Sequence, residues 1–386
     1  MLAIVTSHPI QYQAPLWRAL AAAGVKFEVW FLTPHAVQPS YDREFGHTFA
    51  WDADLLQGYT HRFLPVKAGW RLNRFTGVRL ERSWASLLRE HGVTRLWVEG
   101  WRFATLWQAV FTAHQLGLKV WLRGENHDLR PVRRNPREWL RRLALGQYFR
   151  RVDRFLCIGT ANRRFYLRHG IANDRLVSAP YCIDHVAFAD AADGVRPTRD
   201  VLRKRWNVPQ GAFCVLFCGK FIPKKRPLDL VAAARMAKLP AGQPLHLLFV
   251  GDGKLRPQLE AALAVSDAPA ATLAGFLNQG EIPAALVAAD CLVLPSDYWE
   301  TWGLIVNEAL AAGLPPIVSD RCGCAEDLAA PLGATHVFPC GDIPKLARSI
   351  VAVASQSRDN ARIKSLVESH AIQRTVETIL KLISDQ

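Results

Sequence analysis

No stretch of this sequence approaches the roughly 18 uninterrupted apolar residues that a membrane-crossing helix requires. The chain is therefore expected to touch a membrane at most, not to span one. Met1-Leu2-Ala3-Ile4-Val5-Thr6 has no basic region before it and passes directly into a turn, so it reads as a first strand and not as a signal peptide. That turn, Ser7 to Gln13, lacks the G-x-G-x-x-G of a dinucleotide site. Of the eight cysteines only Cys322-Gly323-Cys324 forms a close pair, and no second pair or histidine cluster completes a zinc site. The others lie mostly in apolar runs, where cysteine behaves as a small hydrophobe, and the chain reads as reduced and cytoplasmic, with no metal. No short-period repeat occurs. Acidic residues are in deficit, 34 against 48 Lys and Arg, for a formal charge of +14. Such an excess attracts phosphates, nucleic acid or acidic lipid without choosing among them.

What is present is ample material for two cores. The chain has 386 residues, half of them hydrophobic, and a single core stops growing well below that length, so two domains of roughly 180 residues are expected. Leu2 to Thr6 reads as a buried strand and Pro15 to Ala23 as a helix closed by Gly24, with a second strand over Val25 to Leu32. Residues 34 to 60, with Tyr41 to Gly46 and Trp51 to Leu56, are irregular and aromatic, and no chemistry is assigned to them. Further strands are expected at Arg95 to Glu99, Lys119 to Arg123, Arg154 to Gly159 and Arg175 to Ala179. After a polar stretch from 186 to 207, read as a linker, a second series runs through Cys214 to Lys220, Leu245 to Val250, Ala271 to Ala274, Cys291 to Leu294, Ile317 to Ser319 and Thr335 to Phe338. Strands alternating with helices predict parallel, covered sheets in an α/β fold.

Two segments stand out. Glu300 and Glu308 flank a helix start opened by Gly303 and closed by Gly313. The N–H groups of Gly303, Leu304 and Ile305 lack intrahelical acceptors and suit a phosphate, while the two carboxylates suit hydroxyls on either side of it. The alternative is a helix start with one exposed Glu and one in a salt bridge. The second segment is arginine-rich: 130, 133, 134, 137, 141, 142, 150, 151 and 154 are all Arg. Asn135, Pro136 and Glu138 make a helix start there, with Leu140, Leu143, Ala144 and Tyr148 on one face and Arg137 and Arg141 on the polar side. A solvated face, contact with an anionic membrane and nucleic-acid binding all remain open from the residues, although no recognition motif accompanies the last.

Taken together, the motifs resemble a family 4 glycosyltransferase of the GT-B type. Glu300 to Glu308 resembles the E-x7-E pattern, including the run Glu-Ala-Leu-Ala-Ala-Gly313. Gly219-Lys220-Phe221-Ile222-Pro223-Lys224-Lys225 resembles the family's two-cation loop, and Gly251-Asp252-Gly253, Gly275-Phe276 and Cys322 to Glu326 fall in familiar places. Tyr181-Cys182-Ile183-Asp184 resembles the turn that closes the N-terminal domain. Ser7-His8-Pro9-Ile10-Gln11-Tyr12 is similar to a bacterial subgroup associated with surface polysaccharides and lipid-linked glycans. It replaces the glycine pair many members carry, and Lys220 replaces the usual Arg, keeping the charge but losing the bidentate fork.

The resemblance implies two Rossmann-like domains facing across a cleft: acceptor-binding 1–185, linker 186–207, donor-binding 208–365, and a C-terminal helix, 366–386, packing back on the first. It implies that Glu308 holds the donor ribose, Glu300 the donor sugar, and Lys220 and Lys225 the diphosphate, with Phe276 and Leu277 beside the base. His127, in Arg123-Gly124-Glu125-Asn126-His127-Asp128, resembles the family's His-Asp position near the donor sugar. His8, Gln11, Tyr12 and Glu99 are candidates for the acceptor side. The activity implied is retaining, metal-independent transfer from a nucleotide sugar to a glycan or lipid-linked acceptor at the inner face of a membrane, without cofactor or nucleic acid. The rivals are another GT-B enzyme, such as a nucleotide-sugar epimerase or a phosphorylase, and a non-catalytic basic protein that binds anionic lipid or nucleic acid.

Overall fold

The computed structural model describes residues 1–35, 37, 40–42, 47–49, 52, 54–131 and 135–385. The aromatic motifs within 41–56 and Arg133 and Arg134 lie partly or wholly outside these residues. The chain forms two compact units; the first comprises most of the residues before Cys182 together with Ile372 onward, and Cys182–Ala371 makes up the body of the second.

The first unit is built on a seven-stranded sheet in the order His61–Phe63, Phe27–Phe31, Leu2–Thr6, Arg95–Glu99, Lys119–Arg123, Arg154–Cys157, Leu176–Ser178. Every pairing is parallel. Leu2–Thr6 and Phe27–Phe31 are buried at all positions, as strands of a sheet covered on both faces should be, and the charge among them, Glu28, is paired with Arg62 at 2.7 Å. The edge strand His61–Phe63 was not anticipated, because its residues are partly exposed and two of the three are polar, so no apolar run marks it. The strand order reverses between Leu2–Thr6 and Arg95–Glu99, the switch point at which open α/β sheets bind ligands beyond their carboxyl ends.

The second unit repeats this plan with six parallel strands, ordered Ala270–Gly275, Leu245–Val250, Phe213–Cys218, Cys291–Leu294, Pro316–Ser319, Val337–Phe338. Its switch point lies between Phe213–Cys218 and Cys291–Leu294. The stretch expected as a linker is instead helical, in His185–Val195 and Arg199–Arg205. Asp184 caps the first helix by accepting from Ala187 N–H at 3.0 Å, and Phe188 and Ala192, one turn apart, are its buried residues. Arg199 and Arg203 in the second helix both bond Asp290, at 2.7 and 3.2 Å. The polar text of 186–207 is the solvent side of helices that belong to the unit.

At the C-terminus, Asn360–Ser369 stays with the second unit and Ile372–Ser384 folds with the first, so the crossover begins six residues later than 366. Ile372, Thr375, Val376, Ile379 and Leu382 are buried at helical spacing, a continuous stripe laid against Ala14–Ala22 and Leu176–Ser178. The Thr378 hydroxyl donates to Ser178 O at 2.9 Å and that of Thr375 to Pro180 O at 3.3 Å, so the buried hydroxyl is satisfied.

Candidate functional site

The second unit assembles its candidate residues at the carboxyl ends of its strands. Beyond Phe213–Cys218 the chain passes Gly219 and Lys220 into a short turn, Pro223–Lys225. Neighbouring loops hold it: Gly219 N–H bonds Val250 O at 2.9 Å and Phe221 N–H bonds Asp252 O at 2.8 Å. Gly251 permits this approach, since a Cβ there would sit 2.0 Å from Gly219 O, and its φ is +133°. The segment after Cys291–Leu294 is joined to the same turn, with Asp297 N–H donating to Lys224 O at 2.8 Å. Asp297 also shapes the turn that carries Glu300, accepting from Trp299 N–H at 2.8 Å through its side chain and from Glu300 N–H at 3.0 Å through its carbonyl.

These two loops bring Lys225 and Glu300 into a direct ion pair, largely buried. Burial pushes the Glu300 carboxyl upward, but the Lys225 ammonium, with Lys224 behind it, outweighs that and holds it below the usual carboxylate range. Lys225 is correspondingly raised: burial works against its charge, and Glu300 more than compensates. Lys220 is half-buried on the same loop. Lys225, which the resemblance assigns to the donor diphosphate together with Lys220, is paired with Glu300 in this state.

Glu308 is the fourth residue of Ile305–Ala311, one turn past Gly303. Its carboxyl has no hydrogen-bond partner among the described residues, and burial alone pushes it up to about 8. Glu308 and Lys225 both act on the Cys218 thiol, which places them around the end of Phe213–Cys218. Among the described residues no acceptor meets the N–H groups of Gly303, Leu304 or Ile305. Leu277 is buried and Phe276 half-buried, both just past Ala270–Gly275. The Cys322-Gly323-Cys324 turn backs the Glu300 loop: Gly323 N–H bonds Glu300 O and Cys324 N–H bonds Trp302 O, both at 3.2 Å. A Cβ on Gly323 would lie 1.9 Å from Thr301 O. Neither cysteine belongs to a group able to hold a metal among the described residues.

The first unit has its own polar cluster at its switch point. Tyr12 and Tyr181 both donate to Glu125 Oε1, at 3.1 and 2.5 Å, and the Arg123 guanidinium lies over the Tyr181 ring at 5.2 Å. Burial pushes Glu99 up to about 8; Arg123 opposes this and Glu125 adds to it. Glu99 Oε1, Gln11 Oε1 and Gln13 Oε1 are buried and meet no donor among the described residues. His8 bonds Ser7 Oγ through Nδ1 at 2.8 Å, and burial, with His35 and Arg102 nearby, lowers it to about 4. His127 is buried, its Nδ1 accepting from Leu129 N–H at 3.2 Å, so the neutral ring carries its proton on Nε2. Asn162 fixes this loop by donating to Gly124 O and Asn126 O at 2.8 and 2.5 Å. Glu125 and Tyr181 were missed as site residues, although Glu125 is only two positions past a strand end. That position was the available signal.

Residues 198–370 match the family described as Glycosyl transferases group 1. A GDP-mannose-dependent alpha-mannosyltransferase of Mycobacterium tuberculosis is 31% identical over 204 residues, 53% of this chain and 47% of that protein. A 2-deoxystreptamine glucosyltransferase of Streptomyces kanamyceticus is 32% identical over 167 residues, 42% of each. The chain thus spans about half the length of the curated relatives it matches. Among solved structures, a glycosyltransferase from Rickettsia africae superposes with a TM-score of 0.73 at 13% identity, covering 100% of this chain and 97% of that one. Anabaena HepE in complex with UDP gives 0.69 at 14% identity, covering 100% of both. The fold is GT-B: two Rossmann-like units, with the C-terminal helix returned to the first.

Proposed function

We propose that this chain is a retaining, metal-independent glycosyltransferase of family 4 that moves a sugar from a nucleotide-sugar donor to a glycan or lipid-linked acceptor. The observation that carries the reading is the grouping of Lys225, Glu300 and Glu308 at the switch point of the second sheet, inside the segment that matches the glycosyltransferase family. The ribose hydroxyls of the donor bond Glu308, the base lies against Phe276 and Leu277, and the diphosphate takes Lys220 and Lys225 together with the N–H groups at Gly303 to Ile305. Glu300, released from Lys225, holds the donor-sugar hydroxyls. As the bond from the anomeric carbon to phosphate breaks, the acceptor oxygen bonds that carbon from the same face, and its proton passes to the departing phosphate oxygen. The lysines stabilise the charge that grows there, an electrostatic contribution of about 3 kcal/mol for one well-placed donor, or on the order of a hundredfold in rate.

The acceptor side is assigned to the first unit. His127 orients a hydroxyl near the donor sugar, and Glu99, Gln11, Tyr12 and His8 line the acceptor. Buried oxygens without donors suit a hydroxyl-rich molecule, because its O–H groups would satisfy them. The enzyme works in the cytoplasm, at the inner face of a membrane, in the assembly of a surface polysaccharide or glycolipid. No helix is long and apolar enough to cross a membrane among the described residues. Association would then be peripheral, with anionic lipid.

Thermal denaturation with UDP, GDP and ADP tests the donor site. At least one should raise the melting temperature, and Lys225→Ala should abolish the shift. No shift with any of the three would sink the reading.

A further inference from the structure

The helix Pro136–Phe149 carries two apolar faces. Asn135 caps it, accepting from Glu138 N–H at 2.8 Å. Its last turns pack Leu145, Tyr148 and Phe149 into the core of the first unit. The single face read from the sequence is therefore divided: Tyr148 is buried, while Leu140 and Leu143 are 58% and 50% exposed and Trp139 is 61% exposed. At about 100° per residue, Trp139, Leu143 and Leu140 share an arc of roughly 100°, centred nearly opposite the buried trio. Arg137 and Arg142 flank that arc at about 110° on either side. Both are exposed, and neither has an ion-pair partner among the described residues; Arg141, further round, is held by Glu138 at 3.2 Å. Farther along the arginine-rich segment the roles are structural: Arg151 stacks on Phe111 at 4.0 Å and Arg154 donates to Asp153 O at 3.1 Å.

We propose that the exposed face of Trp139, Leu140 and Leu143 docks into the surface of an anionic bilayer, with Arg137 and Arg142 seated among lipid phosphates. A large aromatic and two leucines left in water on a helix already anchored through its other side serve no purpose in packing the unit. Bordered by guanidinium groups that have no ion-pair partner among the described residues, they form the pattern of a helix that lies in the interface plane. The arginines supply attraction at a distance and the apolar trio supplies insertion, so binding needs both. This deepens the membrane-surface part of the proposed function and rests on it only for the side of the membrane involved.

Flotation with vesicles of phosphatidylcholine containing about one-third phosphatidylglycerol, against phosphatidylcholine alone, tests the proposal. The protein is expected to float with the anionic vesicles only. Trp139→Ala/Leu140→Ser/Leu143→Ser and Arg137→Glu/Arg142→Glu should each weaken binding by about tenfold or more. A charge-matched control, Lys254→Glu/Lys364→Glu in the second unit, should float as the parent does. Stabilisation by nucleoside diphosphate is expected to be the same in all variants, which keeps the donor reading separate and shows the variants folded. No flotation of the parent, or undiminished flotation of the apolar variant, overturns the proposal. Loss in the control equal to that of the arginine variant would mean attraction by net charge alone, and would also overturn it. A parent that ignores vesicles but binds an acidic protein would assign the face to that class of partner instead.

Discussion

Lys225 and Glu300 neutralise each other where the proposed reaction brings a diphosphate, so the two partners should respond to substitution in opposite ways. Glu300→Ala frees the ammonium: nucleoside diphosphate affinity should hold or rise, while transfer slows by about a hundredfold. Lys225→Ala loses both, and calorimetric titration beside a turnover assay separates the cases. Each variant should also lose about 3 kcal/mol of stability, because it leaves one buried charge without its partner. The Glu300 carboxyl sits below its ordinary 4.5, so its stabilising contribution is present above that pH and disappears as pH falls through the depressed value. Glu308 works in the other direction. With its carboxyl at about 8 it is mainly protonated at neutral pH, whereas ribose hydroxyls favour the ionised form. Nucleoside diphosphate affinity should therefore rise by about tenfold between pH 7 and 9, as the ionised fraction grows, and this part of the profile should vanish in Glu308→Gln. The carboxylate spacing was legible in the sequence. The ion pair was not, because it joins residues 75 positions apart through two strands whose adjacency only the sheet defines.

At the scale of elements, the loops are held by backbone proximity more than by side chains. Gly323→Ala should leave the sheet intact yet displace the loop that carries Glu300, since the added Cβ meets Thr301 O at 1.9 Å. A loss of turnover exceeding tenfold, with a small change in melting temperature, is the expected result; a displacement near 1 Å suffices for such a loss. Kinetics with thermal denaturation checks it. Most strands were readable because a doubly covered parallel sheet favours near-continuous apolar runs, as in Leu2–Thr6, Phe213–Cys218 and Cys291–Leu294. His185–Val195 was hidden by its alternation of Ala and Asp: two buried residues sufficed to seat it, too few to mark a periodic face. Pro136–Phe149 was found by its cap, but its apolar residues were assigned to one side because periodicity does not show where along a helix the core ends.

At the scale of the whole molecule, composition anticipated two cores and a basic surface, and the strand series anticipated two sheets. The exact point of return to the first unit was not legible, since Asn360–Ser369 and Ile372–Ser384 are both helical and only packing distinguishes them. Ile379 is fully buried in the second of these. Ile379→Ala should cost about 2–5 kcal/mol, measured by denaturant unfolding of the first unit's transition. The C-terminal helix also makes Cys182–Ala371 a parenthesis within the first unit: the chain leaves at Tyr181 and re-enters at Ile372. With Thr375 bonded to Pro180 O, the two ends of the interruption are neighbours. A chain ending at Tyr181 would therefore lack part of its own core, whereas one that joins Tyr181 to Ile372 through a few glycines and serines would contain the first unit entire.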